Sequence, residues 1–316
     1  MPDITPVADP DKLEVSIYIG CLGYEHRSIE ALRSLDSAKA SKTKLLFDYC
    51  SEADHCYIAN KREIGKSGCT IINDLGDFLA QIQMHISKEI SPNIQLDVTS
   101  FDRKKLALIL EVLFESSPYI GSVILSYFPR QFVEPSGELE EVLEFGPVTP
   151  RFVGEASYER DSLSLIVGAG YEFGRVIGAI DALEPELTYC MFPVGTDTRF
   201  ERAVARNNLG FRFLDDPNLL IPYSVLNPHS TYFAIRRLIQ VELNERNVLV
   251  LPLGPKIFAA LSIIIALIYS PAVMVWRYST EDLRRPNSLS DARASGDVAL
   301  FAFTFSEPAI TKPIVV

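Results

Sequence analysis

Ile17-Tyr18-Ile19-Gly20-Cys21-Leu22-Gly23-Tyr24-Glu25-His26-Arg27-Ser28-Ile29 decides the fold, because it occurs twice. Its partner is Leu165-Ile166-Val167-Gly168-Ala169-Gly170-Tyr171-Glu172-Phe173-Gly174-Arg175-Val176-Ile177. Each copy is an apolar run, a glycine turn, Gly-Tyr-Glu, an arginine and the start of an amphipathic pattern. A continuous apolar run flanked by glycine suits a strand covered on both faces. The turn that follows suits entry into a helix.

A second pair of segments follows in the same order. Ile94–Ser100 leads into a helical pattern at Lys104–Phe114 and a strand at Val123–Tyr127. Leu249–Lys256 leads likewise into Ile257–Ile268 and Val273–Tyr278. Two matches in one order point to internal duplication. Between them lie strands at Lys44–Asp48, Cys69–Ile72, Thr188–Phe192 and Phe211–Leu214. Helices fall near 54–63 and at Leu75–Ile90, Arg199–Asn207 and Ser230–Asn244. Strands alternating with helices predict mainly parallel sheets with right-handed crossovers. The expected fold is therefore α/β, two tandem Rossmann-like lobes. The lobes are assigned to residues 1–130 and 161–316, joined by 131–160, with a last strand at Val298–Thr304.

The 316 residues are 47% hydrophobic and 22% charged, enough apolar content for two packed domains. A net charge of −11 argues against a broad nucleic-acid surface, which needs clustered Lys and Arg. Phe258–Trp276 imitates a membrane span, but Ser270-Pro271 interrupts it where a helix-to-strand turn belongs. No membrane span is expected. The five cysteines are odd in number and scattered, which fits a reducing compartment. Residues 1–12 are acidic and polar, without the apolar run of a signal peptide. A cytoplasmic location follows.

In sheets of this type ligands bind beyond the carboxyl ends of the strands where strand order reverses. That rule places Gly20, Gly23, Tyr24 and Arg27 beside Thr99 and Ser100 in the first lobe. In the second it places Gly168, Gly170, Tyr171, Glu172 and Arg175 beside Gly254 and Lys256. Glycine permits close backbone approach, and arginine pairs with phosphate or carboxylate. The tyrosines either stack on a base or pack at a seam. Glu25 and Glu172 complement a helix dipole, hydrogen-bond a ribose or base, or order the neighbouring arginine. Thr99 or Ser100 is also a good helix cap, with Asp102 or Arg103 near the first turn. Should the protein be an enzyme, His26, Glu25, Asp97 and Arg103 are the candidate catalytic groups, with His26 as general acid–base. The first lobe holds more of this chemistry.

Other signals are weaker. Gly65-Lys66-Ser67 ends like a P-loop, but Asn60 stands where its first glycine belongs. Gly168-x-Gly170-x-x-x-Gly174 is one residue too long for a dinucleotide fingerprint and lacks the later acid. Cys50, His55, Cys56 and Cys69 lack zinc spacing. No metal or cofactor is expected.

The strand–polar loop–helix elements at Asp97-Val98-Thr99-Ser100 and Leu253-Gly254-Pro255-Lys256 resemble those of CARF-like Rossmann nucleotide sensors of bacterial defence systems. That resemblance implies a nucleotide-like ligand and signalling to an effector. Such sensors are usually dimers fused to an effector domain; here two halves share one chain and no effector domain is evident. Three functions stand: a nucleotide-like ligand sensor signalling to a partner protein, a hydrolase or transferase of a nucleotide-like substrate, and a non-catalytic scaffold.

Overall fold

The computed structural model describes residues 2–52, 55–134, 142–155, 160, 162–170, 175–207, 216, 218–280 and 293–307. Its strands are β1 (Asp3–Val7), β2 (Ile17–Leu22), β3 (Thr43–Asp48), β4 (Thr70–Ile72), β5 (Asn93–Asp97), β6 (Ser122–Tyr127) and β7 (Val142–Pro147). Then come β8 (Leu163–Gly168), β9 (Leu187–Val194), β10 (Leu220–Ser224), β11 (Asn247–Pro252), β12 (Val273–Thr280) and β13 (Ala299–Ser306). The helices used below are α1 (Glu30–Ser34), α2 (Asp36–Ala40), α3 (His55–Ile64), α4 (Leu75–Lys88), α5 (Arg103–Glu115), α6 (Arg175–Leu183), α7 (Thr198–Asn207), α8 (Pro228–Glu242) and α9 (Lys256–Ile268).

Two sheets form, in the orders β1-β13-β6-β5-β2-β3-β4 and β10-β9-β8-β11-β12-β7. The strands β2 to β6 and β8 to β12 run parallel within their sheets. Both halves therefore share one order, and the repeat is spatial as well as sequential. In each, the first strand of the repeat lies beside the fourth, β2 next to β5 and β8 next to β11, as the switch-point argument requires. The Phe211–Leu214 strand expectation lies outside the described residues; the edge strand seen is Leu220–Ser224.

The sheets do not keep to the sequence ranges of the lobes. β7, from the segment between the lobes, pairs antiparallel with β12 in the second sheet. β13, the last strand of the chain, pairs antiparallel with β6 in the first sheet and with β1 on its other side. The connecting segment thus closes the second sheet, and the end of the second half closes the first. The two connectors meet on the way: Gln131 N–H donates to Arg293 C=O at 2.8 Å and Ser295 N–H to Pro129 C=O at 2.8 Å.

The apolar run that imitates a membrane span is α9 followed by β12. Residues Ile257 to Leu267 of α9 are all buried. A helix apolar all round needs neighbours all round. α9 has them, packing on α8 and β12 of its own half and on α5 and β6 of the other. Among the described residues, no helix is long and apolar enough to cross a membrane. The hydrophobic core is continuous across both halves, from Leu106 and Leu110 of α5 to Leu261 and Ile264 of α9. At about 1.5–3 kcal/mol for each buried Leu or Ile, this seam holds the halves as one body. Arg236 of α8 adds a two-pronged ion pair to Asp3 of β1, at 2.9 and 2.6 Å.

Candidate functional site

The first Gly-Tyr-Glu turn is held by residues on three elements. Ser28 Oγ lies 3.3 Å from both the N–H and the C=O of Gly23 and closes the turn. Asn60 of α3 is fully buried and donates to Glu25 C=O at 2.9 Å and Ser28 Oγ at 3.0 Å. Sequence reasoning met Asn60 only as the residue replacing a P-loop glycine. A polar residue buried on an otherwise ordinary helix gave no signal of the turn it supports.

Glu25 and Arg27 form a buried fork-to-carboxylate pair. Arg27 Nε donates to Glu25 Oε2 at 3.0 Å and Nη2 to Oε1 at 3.4 Å, while Nη1 donates to Phe128 C=O at 2.7 Å. Burial pulls the Arg27 guanidinium down, but Glu25 outweighs it and holds it above its ordinary value. Ser100 Oγ donates to Glu25 at 3.2 Å, so the two predicted walls of the first crevice do meet.

Asp97, a catalytic candidate, is buried at the end of β5. Its Oδ1 accepts from Thr99 N–H at 3.0 Å and Thr99 Oγ1 at 2.5 Å, and its Oδ2 from Tyr18 OH at 3.3 Å. Burial raises its carboxyl to about 6, with the Thr99 and Tyr18 bonds pulling the other way. Thr99 is itself buried and accepts from Phe128 N–H at 3.1 Å. This group builds the turn between β5 and α5. His26 lies on the outer side, toward α1 and α3. Arg33 donates to its C=O at 2.6 Å and lies 3.2 Å from Nδ1. Burial first, then Arg33, pushes the imidazole pKa below its ordinary value.

Arg103 begins α5 and crosses to the second half. Its guanidinium donates to the carbonyls of Pro252 and Leu253, and to that of Gly254 at 3.3 Å. Gly254 is required here: a Cβ on it would stand 2.3 Å from the Ala169 carbonyl oxygen. Its N–H donates to Gly168 C=O at 3.0 Å. Gly20 and Gly168, predicted to form turns, lie inside strands. They make room for the Tyr18 hydroxyl and the Phe258 ring, which a Cβ would meet at 2.6 and 2.4 Å. Arg175 begins α6, where its C=O accepts from Tyr278 OH at 2.7 Å. Tyr171 and Glu172 lie outside the described residues.

The carboxyl ends of both sheets open into a shared cavity of about 920 Å³. The first half contributes Tyr24, Arg27, Arg103 and Tyr127; the second contributes Gly170, Gly254, Lys256 and the start of α7. The connectors supply Arg130, Phe132, Ser295 and Asp297. Among the described lining residues, the cations are Arg27, Arg103, Arg130, Arg199 and Lys256, against the carboxylates Asp197 and Asp297. In a chain of net charge −11 this is a local reversal of sign. Phe132 stacks edge-on with Phe200, centroids 5.1 Å apart, and Arg199 lies 5.0 Å over its ring. His26, Asp97, Thr99 and Gly20 do not line this space. Arg130, Arg199, Phe132 and Phe200 had no motif to reveal them, because they converge only when the connectors cross.

No protein-family model and no curated protein matches the chain, so the reading of the site rests on these residues. Fold and cavity together define a two-lobed α/β protein with a ligand-sized cleft between its halves.

Proposed function

We propose that this protein is a sensor that binds a nucleotide-like ligand in the central cavity and signals its occupancy to a partner protein. The observation that carries the reading is the lining itself, with cations and aromatic rings around a space of ligand size. Guanidinium and ammonium groups pair with phosphate. Tyrosine and phenylalanine faces stack on bases. About 300–1,000 Å³ is the usual range for small-molecule sites.

Binding is favoured over hydrolysis or group transfer because the acid–base candidates are engaged elsewhere. His26 is turned toward Arg33, Asp97 closes the β5 turn, and Arg103 is spent on carbonyls. Signalling fits the topology, since β7 and β13 tie segments of the two halves together beside the shared cavity. The resemblance to CARF-like sensors, carried in part by Leu253–Lys256 of the same lining, implies the same ligand class; a role in bacterial defence rests on that resemblance alone. Free cysteines fit the reducing cytoplasm as its place of work.

Thermal unfolding against mononucleotides, dinucleotides and cyclic oligonucleotides tests this. A ligand at 100 times its Kd adds about 2.7 kcal/mol and raises the melting temperature by several degrees. A complete panel without any shift overturns the reading; a hit that is turned over moves it to the enzyme.

A further inference from the structure

The cations around the cavity are not equivalent. Arg27 is neutralised by Glu25 and Arg199 by Asp197, while Arg103 is filled by backbone carbonyls. Arg130 sits on the connector and has a partner of its own. Lys256 is different. Among the described residues its Nζ has no carboxylate or carbonyl within hydrogen-bond or ion-pair range, yet it lines the cavity.

Its surroundings explain the state of the amine. Burial first, then Arg103, brings the Lys256 ammonium down to about 8, with Arg27 acting in the same direction. Asp102 and Glu25 act the other way, but neither is available. Asp102 is held by Lys105 at 2.5 Å and accepts from Tyr49 OH at 3.1 Å; Glu25 is held by Arg27 and Ser100. The helix behind Lys256 is also open. α9 starts at Pro255 with no side-chain cap, whereas α5 across the seam is capped by Asp102. Uncapped first-turn N–H groups favour an anion.

We propose that Lys256, with the open first turn of α9, is the anchor for a phosphate-type oxyanion of the cavity's ligand, and that binding brings a proton onto Lys256. This rests on the cavity being a ligand site, as proposed above, and adds where the charged end of the ligand goes. Lone pairs of the oxyanion supply the acceptor that Lys256 lacks, and the negative charge favours the ammonium over the amine. The proton comes from solvent, so no other reactant is needed.

The test uses the full chain and inorganic pyrophosphate, with malonate as the carboxylate arm. Competitive acetylation followed by peptide mass spectrometry reads each lysine across a pH series. Lys256 is expected to react at lower pH than the exposed Lys12 and Lys39. Pyrophosphate is expected to slow its labelling roughly tenfold, the effect of 1.4 kcal/mol, and to leave Lys12 unchanged. Equal protection by malonate makes the anchor a general anion site and overturns the phosphate assignment. No protection by either anion overturns the proposal altogether. Calorimetry in buffers of different ionisation enthalpy, above pH 8, is expected to show proton uptake with pyrophosphate. In Lys256→Arg binding remains and uptake vanishes. Nucleotide binding that survives Lys256→Met unchanged sinks this inference alone. Protection of Lys256 by pyrophosphate without any nucleotide ligand sinks the sensor reading alone.

Discussion

The start of α5 and the start of α9 occupy equivalent places in two sheets of the same strand order, and they carry opposite chemistry. Before α5 the chain is dense in polar groups, and they are satisfied by one another. Asp97 takes the bonds of Thr99 and Tyr18, Asp102 takes Lys105 and Tyr49, and Ser100 takes Glu25. Before α9 the chain is apolar apart from Lys256, whose amine is unanswered. The lesson is that binding capacity follows unspent hydrogen-bonding groups rather than the density of polar residues. A half rich in polar side chains has used them to hold its own turns, and a half poor in them has left one open.

The largest expected effect lies on the satisfied side. Asp97→Ala removes the acceptor for two Thr99 donors and Tyr18, a loss of roughly 3 kcal/mol in urea unfolding. Asp97→Asn keeps most of those bonds and separates the charge from the geometry. The folded carboxyl is raised from 3.8 to about 6, so between those values the folded state holds a proton that the unfolded chain has released. Stability therefore falls as pH rises through that window, by on the order of 2–3 kcal/mol. Asp97→Asn is expected to remove that slope, and a slope that persists in the variant breaks the comparison.

The next effect concerns the seam. Arg103→Ala leaves three carbonyls without their donor and should cost about 2 kcal/mol of stability, with weaker ligand binding. Lys at this position should not restore it, because the planar fork reaches several acceptors at once. Full rescue by Arg103→Lys would show that charge, not geometry, is what counts there.

On the open side the sign reverses. The folded Lys256 ammonium lies below its ordinary 10.5, at about 8, so between those values the unfolded chain binds the proton and the folded one does not. Stability from this group rises with pH across that window, and at pH 7 the partly buried charge is a cost. Lys256→Met is therefore expected to raise stability at pH 7, by on the order of 2 kcal/mol, while anion binding is lost. A variant that is less stable would mean that Lys256 is structural after all. Smaller still is Phe132→Ala, which removes an edge-on ring pair and the partner of Arg199, about 1 kcal/mol with a few-fold weaker ligand affinity. His26→Ala should leave ligand affinity within about twofold, a change under 0.5 kcal/mol, since the ring faces Arg33 away from the cavity.

Much of this was legible beforehand. The duplicated apolar runs predicted the parallel strands, and the break at Ser270-Pro271 separated α9 from β12. Val298–Thr304 was readable as a strand, but not as a strand of the first sheet, because alternation says that a segment is extended and not what it pairs with. β1 and β7 escaped notice for a related reason: both are edge strands in polar or acidic surroundings, where burial imposes little pattern. Gly20 and Gly168 were legible as necessary glycines, yet the crowding group is the Tyr18 hydroxyl or the Phe258 ring rather than a ligand. Lys256 was named as a candidate from its place in the repeat, though the poorer lobe drew less expectation.

Sequence alone pointed to the two α/β repeats and to the four loops that approach the cavity; the strand order came from the pairing of the strands. The repeats and loops follow from local hydrophobic periodicity and from the short range of turn and cap chemistry. Only the tertiary structure decided that the carboxyl ends of the two sheets share a cavity, that β7 joins the second sheet and β13 the first, and that Lys256, among the described lining residues, is the cation without a carboxylate or carbonyl partner. Those outcomes depend on which groups meet across distances of a hundred residues or more, and whether a charge is spent or free is a property of its neighbours in space.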